Sequence, residues 1–267
     1  MSFSPPPHPS DPWIRRFRPR PEADVRLVCF PHAGGSASYF HPLAQSPTLL
    51  PDTEVLAVQY PGRQDRRRER LLDSVPETAD RIAEALAPFG DRPLAFFGHS
   101  MGAVLAFEVA QRLREGAVGE PRALFVSGRR APSVHRRGTV HLLDDADLVG
   151  ELRRAGGTDP RFLDDEELLA EIIPVVRNDY RAVELYRWTP TSPLSCPVTA
   201  LVGDRDPQAP LDDVEAWRQH TEGPFDLKVF SGGHFYLNTH QRGVADVISK
   251  TLADSAQRPA TARGNVR

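Results

Sequence analysis

The sequence predicts an α/β fold: a mostly parallel central sheet with helices on both faces and a helical segment inserted before its last two strands. Three observations carry this. Short apolar runs of strand length alternate with helical patterns. Several runs are continuously apolar, as expected of strands buried on both faces. The alternation breaks once, between about residues 130 and 190, where amphipathic helices follow one another with no strand between them.

The strand candidates are residues 25–30, 54–60, 93–98, 122–128, 197–203 and 225–230, each rich in Val, Leu or Phe. Between them, 77–89 places Ile82, Leu86 and Phe89 at helical spacing, and 101–115 carries Val104, Leu105, Val109 and Leu113 on one side. Further helical patterns cover 214–220 and 244–252. In the inserted segment three consecutive helices are expected, over 146–155, 165–176 and 176–186. Residues 1–24 are Pro-rich and polar around an aromatic island from Trp13 to Phe17. They read as a largely disordered arm with, at most, a short edge strand. Residues 255–267 read as a disordered tail, which leaves 25–254 as the folded domain.

The 267 residues suit one large α/β domain with a substantial core. A net charge of −3 gives no global basic field, so neither nucleic acid nor a membrane surface is expected as a partner. No apolar run approaches the ~20 residues that span a bilayer, and the first residues lack the basic and apolar regions of a signal peptide. Two cysteines, Cys29 and Cys196, do not make a disulfide framework, and reduced thiols suit a cytoplasmic protein. A monomer is the default expectation.

The chemistry is concentrated in a few short motifs. Residues 94–102 read as a strand entering Gly-His-Ser-Met-Gly, followed at once by a helix. This is the G-x-S-x-G pattern in the context it requires. The serine sits on a sharp, strained turn, and Gly98 and Gly102 provide the room that the turn needs. Ser100 is therefore the candidate nucleophile of an α/β-hydrolase fold, and the Met101 amide, at a helix N-terminus, is a candidate oxyanion donor. His99 is expected to pack away from the site.

Hydrolases of this architecture order their triad as serine, acid, histidine. Downstream, residues 197–207 form a strand ending in Asp204 and Asp206, and 227–236 form a strand ending in Gly-Gly-His. Both candidates fall beyond strand ends on the edge that carries Ser100. His234 is the candidate base. Of the two acids, Asp206 lies further from the strand and is favoured for turning toward His234, while Asp204 is the alternative or a brace for the loop. The second oxyanion donor is expected in the Gly-rich loop 30–36, at the Ala33 amide. That loop lacks G-x-G-x-x-G and a Walker lysine, so a nucleotide cradle is not expected. The nine histidines show no H-E-x-x-H or clustered ligand spacing, so no metal is expected either.

Five blocks of the chain together resemble the type II thioesterases that accompany polyketide synthases and nonribosomal peptide synthetases. They are Phe-Pro-His-Ala-Gly-Gly-Ser-Ala-Ser (30–38), Gln-Tyr-Pro-Gly-Arg-Gln-Asp-Arg (59–66), Gly-His-Ser-Met-Gly-Ala (98–103), Gly-Asp-Arg-Asp-Pro (203–207) and Gly-Gly-His-Phe-Tyr-Leu (232–237). The similarity runs from about residue 25 to 252, and the second block is the most discriminating. The resemblance implies Ser100, Asp206 and His234 as the triad, Ala33 and Met101 as the oxyanion hole, and the inserted helices as a lid. It also implies hydrolysis of misprimed acyl groups from the phosphopantetheine arm of an acyl or peptidyl carrier protein, with no cofactor in the enzyme. A medium-chain fatty acyl thioesterase, a small-ester carboxylesterase, a product-releasing enzyme and a non-enzymatic carrier-binding scaffold are the competing readings. One further feature stands out: five arginines in residues 63–70 on a net-negative chain, an expected recognition element for an acidic carrier.

Overall fold

The computed structural model describes residues 11–49, 52–158 and 160–256. In chain order its elements are β1 (Ile14–Arg16), β2 (Val25–Phe30), α1 (His41–Ala44), β3 (Thr53–Val58), α2 (Val75–Leu86), β4 (Leu94–His99), α3 (Met101–Leu113) and β5 (Leu124–Ser127). There follow α4 (Asp145–Ala155), α5 (Glu166–Leu185), β6 (Val198–Gly203), α6 (Leu211–Glu215), β7 (Phe225–Phe230) and α7 (Gln241–Ala256). The strands form one seven-stranded sheet in the order β1-β3-β2-β4-β5-β6-β7. From β3 to β7 every neighbouring pair is parallel, and β1 alone runs antiparallel, against β3.

Side-chain alternation divides the core between the two faces. Val28, Phe30, Phe96, Val126, Ala200 and Val202 pack beneath α2 and α3. Their neighbours Leu27, Cys29, Phe97, Phe125 and Leu201 pack against α7 on the other face. This is why the central runs read as continuously apolar: strands covered on both sides have no solvent face. Cys29 and Cys196 are both buried and unpaired. No helix of the described residues is long and apolar enough to cross a membrane.

The segment expected to be a loose arm is partly built into the fold. Residues 14–16 add an edge strand on Val58, Ala57 and Leu56. The Arg16 guanidinium reaches Glu54 at 2.5 Å, and Arg66 stacks over the Trp13 ring with 4.3 Å to its centroid. The disorder expectation is therefore corrected for residues 11–24, and residues 1–10 lie outside the described residues. At the other end, Ser255 and Ala256 close α7 and the rest of the expected tail lies outside the described residues.

The insertion between β5 and β6 holds two α-helices where three were expected. The second and third merge into the single α5, with Pro174 inside it. Proline removes one i to i−4 hydrogen bond there, but helical turns on both sides keep the axis continuous. Apolar side chains of the insertion form a small core of their own: Leu148, Leu152, Leu163 and Val176, with Leu169, Ile172 and Tyr180 against them. The insertion thus has a packing unit separate from the two faces of the sheet.

One buried charge organises the β2–β3 edge. Glu54 is fully buried and receives Arg16, Arg26 at 3.3 Å and Arg92 at 3.4 Å. A buried carboxylate is tolerated because its oxygens are matched by guanidinium donors. Glu54→Ala leaves Arg26 buried without this partner and should lower unfolding free energy by about 3 kcal/mol or more. Denaturant titration of the variant, with wild-type stability as the refuting result, checks it.

Candidate active site

The strands β2 and β4 to β7 are parallel, so the loops leaving them gather at one edge of the sheet. Ser100 follows β4 and begins α3 with φ 56° and ψ −116°. A non-glycine residue in this region is strained, and the surrounding packing must hold it there. The two flanking glycines explain how. A Cβ at Gly98 would stand on the Gly102 carbonyl, and one at Gly102 would stand on the Phe30 carbonyl. The chain therefore reverses from strand to helix at a distance that only glycine permits.

Ser100, Asp206 and His234 are brought together and buried, at 8%, 6% and 6% exposure. His234 Nδ1 lies 2.7 Å from Asp206 Oδ2 and Nε2 lies 3.0 Å from Ser100 Oγ. A carboxylate only accepts, so Nδ1 carries the proton and donates to Asp206. Nε2 is then the acceptor, and the Ser100 hydroxyl donates to it. The other Asp206 oxygen accepts the Gln208 amide at 2.9 Å, which fixes the carboxylate plane. Asp204 plays a different part: its Oδ1 accepts the Gly232 amide at 2.8 Å and so braces the loop that carries His234.

The two expected oxyanion donors sit on the turn after β2, for Ala33, and at the first residue of α3, next to Ser100 in the chain, for Met101. Among the described residues neither the Ala33 nor the Met101 amide donates to a protein acceptor. The next amide, Gly34, is bound to Asp179 Oδ2 at 2.7 Å. Asp179 comes from α5 and forms a buried ion pair with Arg63, whose guanidinium also donates to the Pro61 carbonyl at 2.7 Å. Burial pushes the Asp179 carboxyl up from its ordinary range, opposed by Arg63 and the Gly34 amide. Sequence reasoning missed Asp179. Its one signal was an acid on the same helical stripe as Val176, Ala182 and Val183.

A second feature was also missed. The expectation that His99 packs away from the site is corrected: its ring packs beside that of His234, and its Nδ1 meets Ser127 Oγ at 2.9 Å, with Ser127 Oγ 2.8 Å from the Tyr236 hydroxyl. The His99 ring lies 5.0 Å from that of His234 and 5.9 Å from that of His32. Phe235 packs edge-on against all three imidazoles. Burial lowers the His32 pKa to about 3, aided by the proximity of His234 and Arg63, and burial holds His99 well below the ordinary range. Among the described residues, no cluster of three or more His, Cys, Asp or Glu side chains is placed to hold a metal ion.

The thioesterase domain family matches residues 25–252. Thioesterase PikA5 of Streptomyces venezuelae is 53% identical over 241 residues, covering 90% of this chain and 85% of that protein. Among solved structures, the type II thioesterase BorB from the borrelidin biosynthetic cluster superposes with a TM-score of 0.84 at 49% identity, covering 91% of this chain and 98% of that one. The RedJ thioesterase from the prodiginine pathway of Streptomyces coelicolor superposes with a TM-score of 0.81 at 38% identity, over 94% of this chain and 91% of that one.

Two expectations follow from the geometry. Ser100→Ala should cost on the order of 10⁴-fold in kcat, and Asp206→Asn on the order of 10³-fold or more through the wrong imidazole tautomer, with Asp204→Asn costing far less. Thioester turnover by each folded variant measures this, and the reverse ranking of the two aspartates would refute the assignment. The second concerns pH. Unfolded His32 takes up a proton near pH 6.5, whereas folded His32 does so only near pH 3. Between those values the unfolded state binds more protons, so stability falls on acidification. His32 alone should remove about 2 kcal/mol between pH 6.5 and 5. Melting temperature against pH should be flatter in His32→Phe, and an unchanged slope would exclude this source.

Proposed function

The chain belongs to the thioesterase domain family, and from that membership we propose that it is a type II, editing thioesterase, clearing acyl groups from the phosphopantetheine arm of a polyketide or peptide carrier protein. The observation that carries the reading is the buried, hydrogen-bonded series Asp206–His234–Ser100. Ser100 Oγ attacks the thioester carbonyl as His234 Nε2 takes its proton. Asp206 holds the imidazole orientation and stabilises the imidazolium. The Ala33 and Met101 amides receive the oxyanion. Collapse of the tetrahedral intermediate breaks the carbon–sulfur bond, and His234 protonates the departing thiolate. Water, deprotonated by the same His234, then attacks the acyl-serine and releases the acid. The chain's own residues supply every proton transfer, so the reaction calls on no cofactor.

In this reading the inserted helices act as a lid. Ser100 is buried, and the small separate core of the insertion would let α4 and α5 widen the path to it as an acyl chain enters. Each acyl methylene that settles against such a surface contributes roughly 0.8 kcal/mol, enough to separate chain lengths. Two free, buried thiols favour a cytoplasmic setting.

The test is a substrate panel followed by intact mass: acylated carriers, acyl-pantetheine and matched oxygen esters. Carrier thioesters should be turned over with the highest kcat/KM, and Ser100→Ala should leave them acylated. Preference for the oxygen esters would assign the protein to carboxylesterase chemistry instead.

A further inference from the structure

Two open grooves lie near the buried site, one at His234 and one at the Gly34 turn. One, of about 870 Å³, passes His234 and carries Arg154 and Arg205. The other, of about 940 Å³, runs between the Gly34 turn, the loop from Gly62 to Arg68 and the α5 face bearing Ile172 and Val175. Either is large enough for an extended small-molecule chain. Their cations distinguish them. Arg154 is held by Glu151 at 2.8 Å and Arg205 stands 3.7 Å from Asp204. The first groove therefore offers no uncommitted positive charge at its rim.

The fold has sorted the arginine run of the second groove. Arg63 is committed to Asp179 in the interior. Arg66 is committed to Glu69 at 2.6 Å, and Arg70 to Glu77 at 2.8 Å. Arg67 and Arg68 remain. Both are exposed, both line the groove, and among the described residues neither has a carboxylate within ion-pair distance. The one hydrogen bond made by the Arg67 guanidinium is a long one, 3.5 Å, to the Gln64 carbonyl. Glu171 on the opposite wall is the one acid lining the groove, and it pairs with neither arginine. The groove is thus polar and cationic at the 67–68 end, apolar along Ile172 and Val175, and bounded at Gly34 by the turn that offers the Ala33 amide.

That polarity fits a linear ligand with an anion at one end and a neutral, reactive carbonyl at the other. We propose that Arg67 and Arg68 form a phosphate-binding pair at the mouth of this groove, taking the phosphodiester of the phosphopantetheine arm while its thioester end reaches the Ala33 turn. This rests on the carrier-bound substrate proposed above and adds to it a recognition site separate from the triad. Guanidinium groups match phosphate oxygens with two parallel donors, which a solvated ammonium does not. Because both side chains are exposed, the contribution is modest and screened by salt.

The experiment compares acyl-phosphopantetheine with acyl-pantetheine, which lacks the phosphate, using wild type and the double variant Arg67→Gln, Arg68→Gln. Wild type should favour the phosphorylated thioester, and rising salt should erode that preference. In the double variant, KM for acyl-phosphopantetheine should rise about tenfold with little change in kcat, while acyl-pantetheine kinetics move less than twofold. Glu171→Gln should lower KM for the phosphorylated substrate alone. Equal loss on both substrates, or loss on neither, overturns the phosphate site. A loss confined to intact acyl-carrier protein also overturns it, and assigns the arginines to the carrier surface. Calorimetric binding of free phosphopantetheine to Ser100→Ala, with and without the arginine changes, reads the site without turnover. No turnover of any thioester by wild type would instead defeat the thioesterase reading beneath it, and the calorimetry would still report on the arginines.

Discussion

The turn at Ser100 is the constraint on which the rest depends. Its positive φ is strained for a serine, and the start of α3 lies against the Phe30 carbonyl of β2 and the Gly98 Cα of β4. Strain of this kind persists only where packing on all sides over-determines it. Here the fully buried Phe30, Phe96 and Val104 and the backbone pairing of β4 between β2 and β5 supply that packing. The same turn orients three things at once: the hydroxyl toward His234, the Met101 amide toward the site, and the α3 axis toward the groove between α2 and the sheet.

A second level of organisation links the site to its cover. The buried Arg63–Asp179 pair joins the loop after β3 to α5, and Asp179 also holds the Gly34 amide. The turn offering the Ala33 amide, the Pro-Gly-Arg block and the inserted helices therefore share one electrostatic junction. A buried pair of this kind contributes little net stability compared with apolar packing, yet loss of either partner leaves a stranded charge. Its effect is positional: any opening of α5 has to break this pair or carry the Gly34 turn with it. Asn178 strengthens the junction by donating to the Leu72 carbonyl at 2.8 Å.

Around the base, the fold uses neutral groups. His32 and His99 are kept unprotonated by burial, and the Ser127–Tyr236 hydroxyl chain satisfies one nitrogen of His99. Asp206 is thus the one carboxylate hydrogen-bonded to His234, and the neighbouring imidazoles supply shape without competing charge. Phe235, wedged among the three rings and packed against Gly157 of the insertion, carries this cluster to the underside of the cover.

Much of this was legible in the chain, and the reason is local. Strand length, two-sided burial and the strand–turn–helix signature of residues 94–102 depend on nearest neighbours along the sequence, so periodicity and glycine placement reveal them. The sequence motifs also picked out Asp206 over Asp204, because two residues of loop length decide which carboxylate reaches an imidazole and which braces the turn. What the sequence did not reveal depends on contacts between distant segments. The sequence allowed a short edge strand in the N-terminal arm, but did not show that it would run antiparallel on β3. The two inserted helices fuse across Pro174 because packing on both sides outweighs one lost hydrogen bond. The five arginines of residues 63–70 are alike in sequence, and only the positions of Asp179, Glu69 and Glu77 divide them into three committed and two free. The sequence by itself determined the architecture and pointed to the three side chains that the fold brings together. Tertiary structure decided which charges are spent inside the fold and which remain for a ligand, because a charge finds its partner in space rather than along the chain.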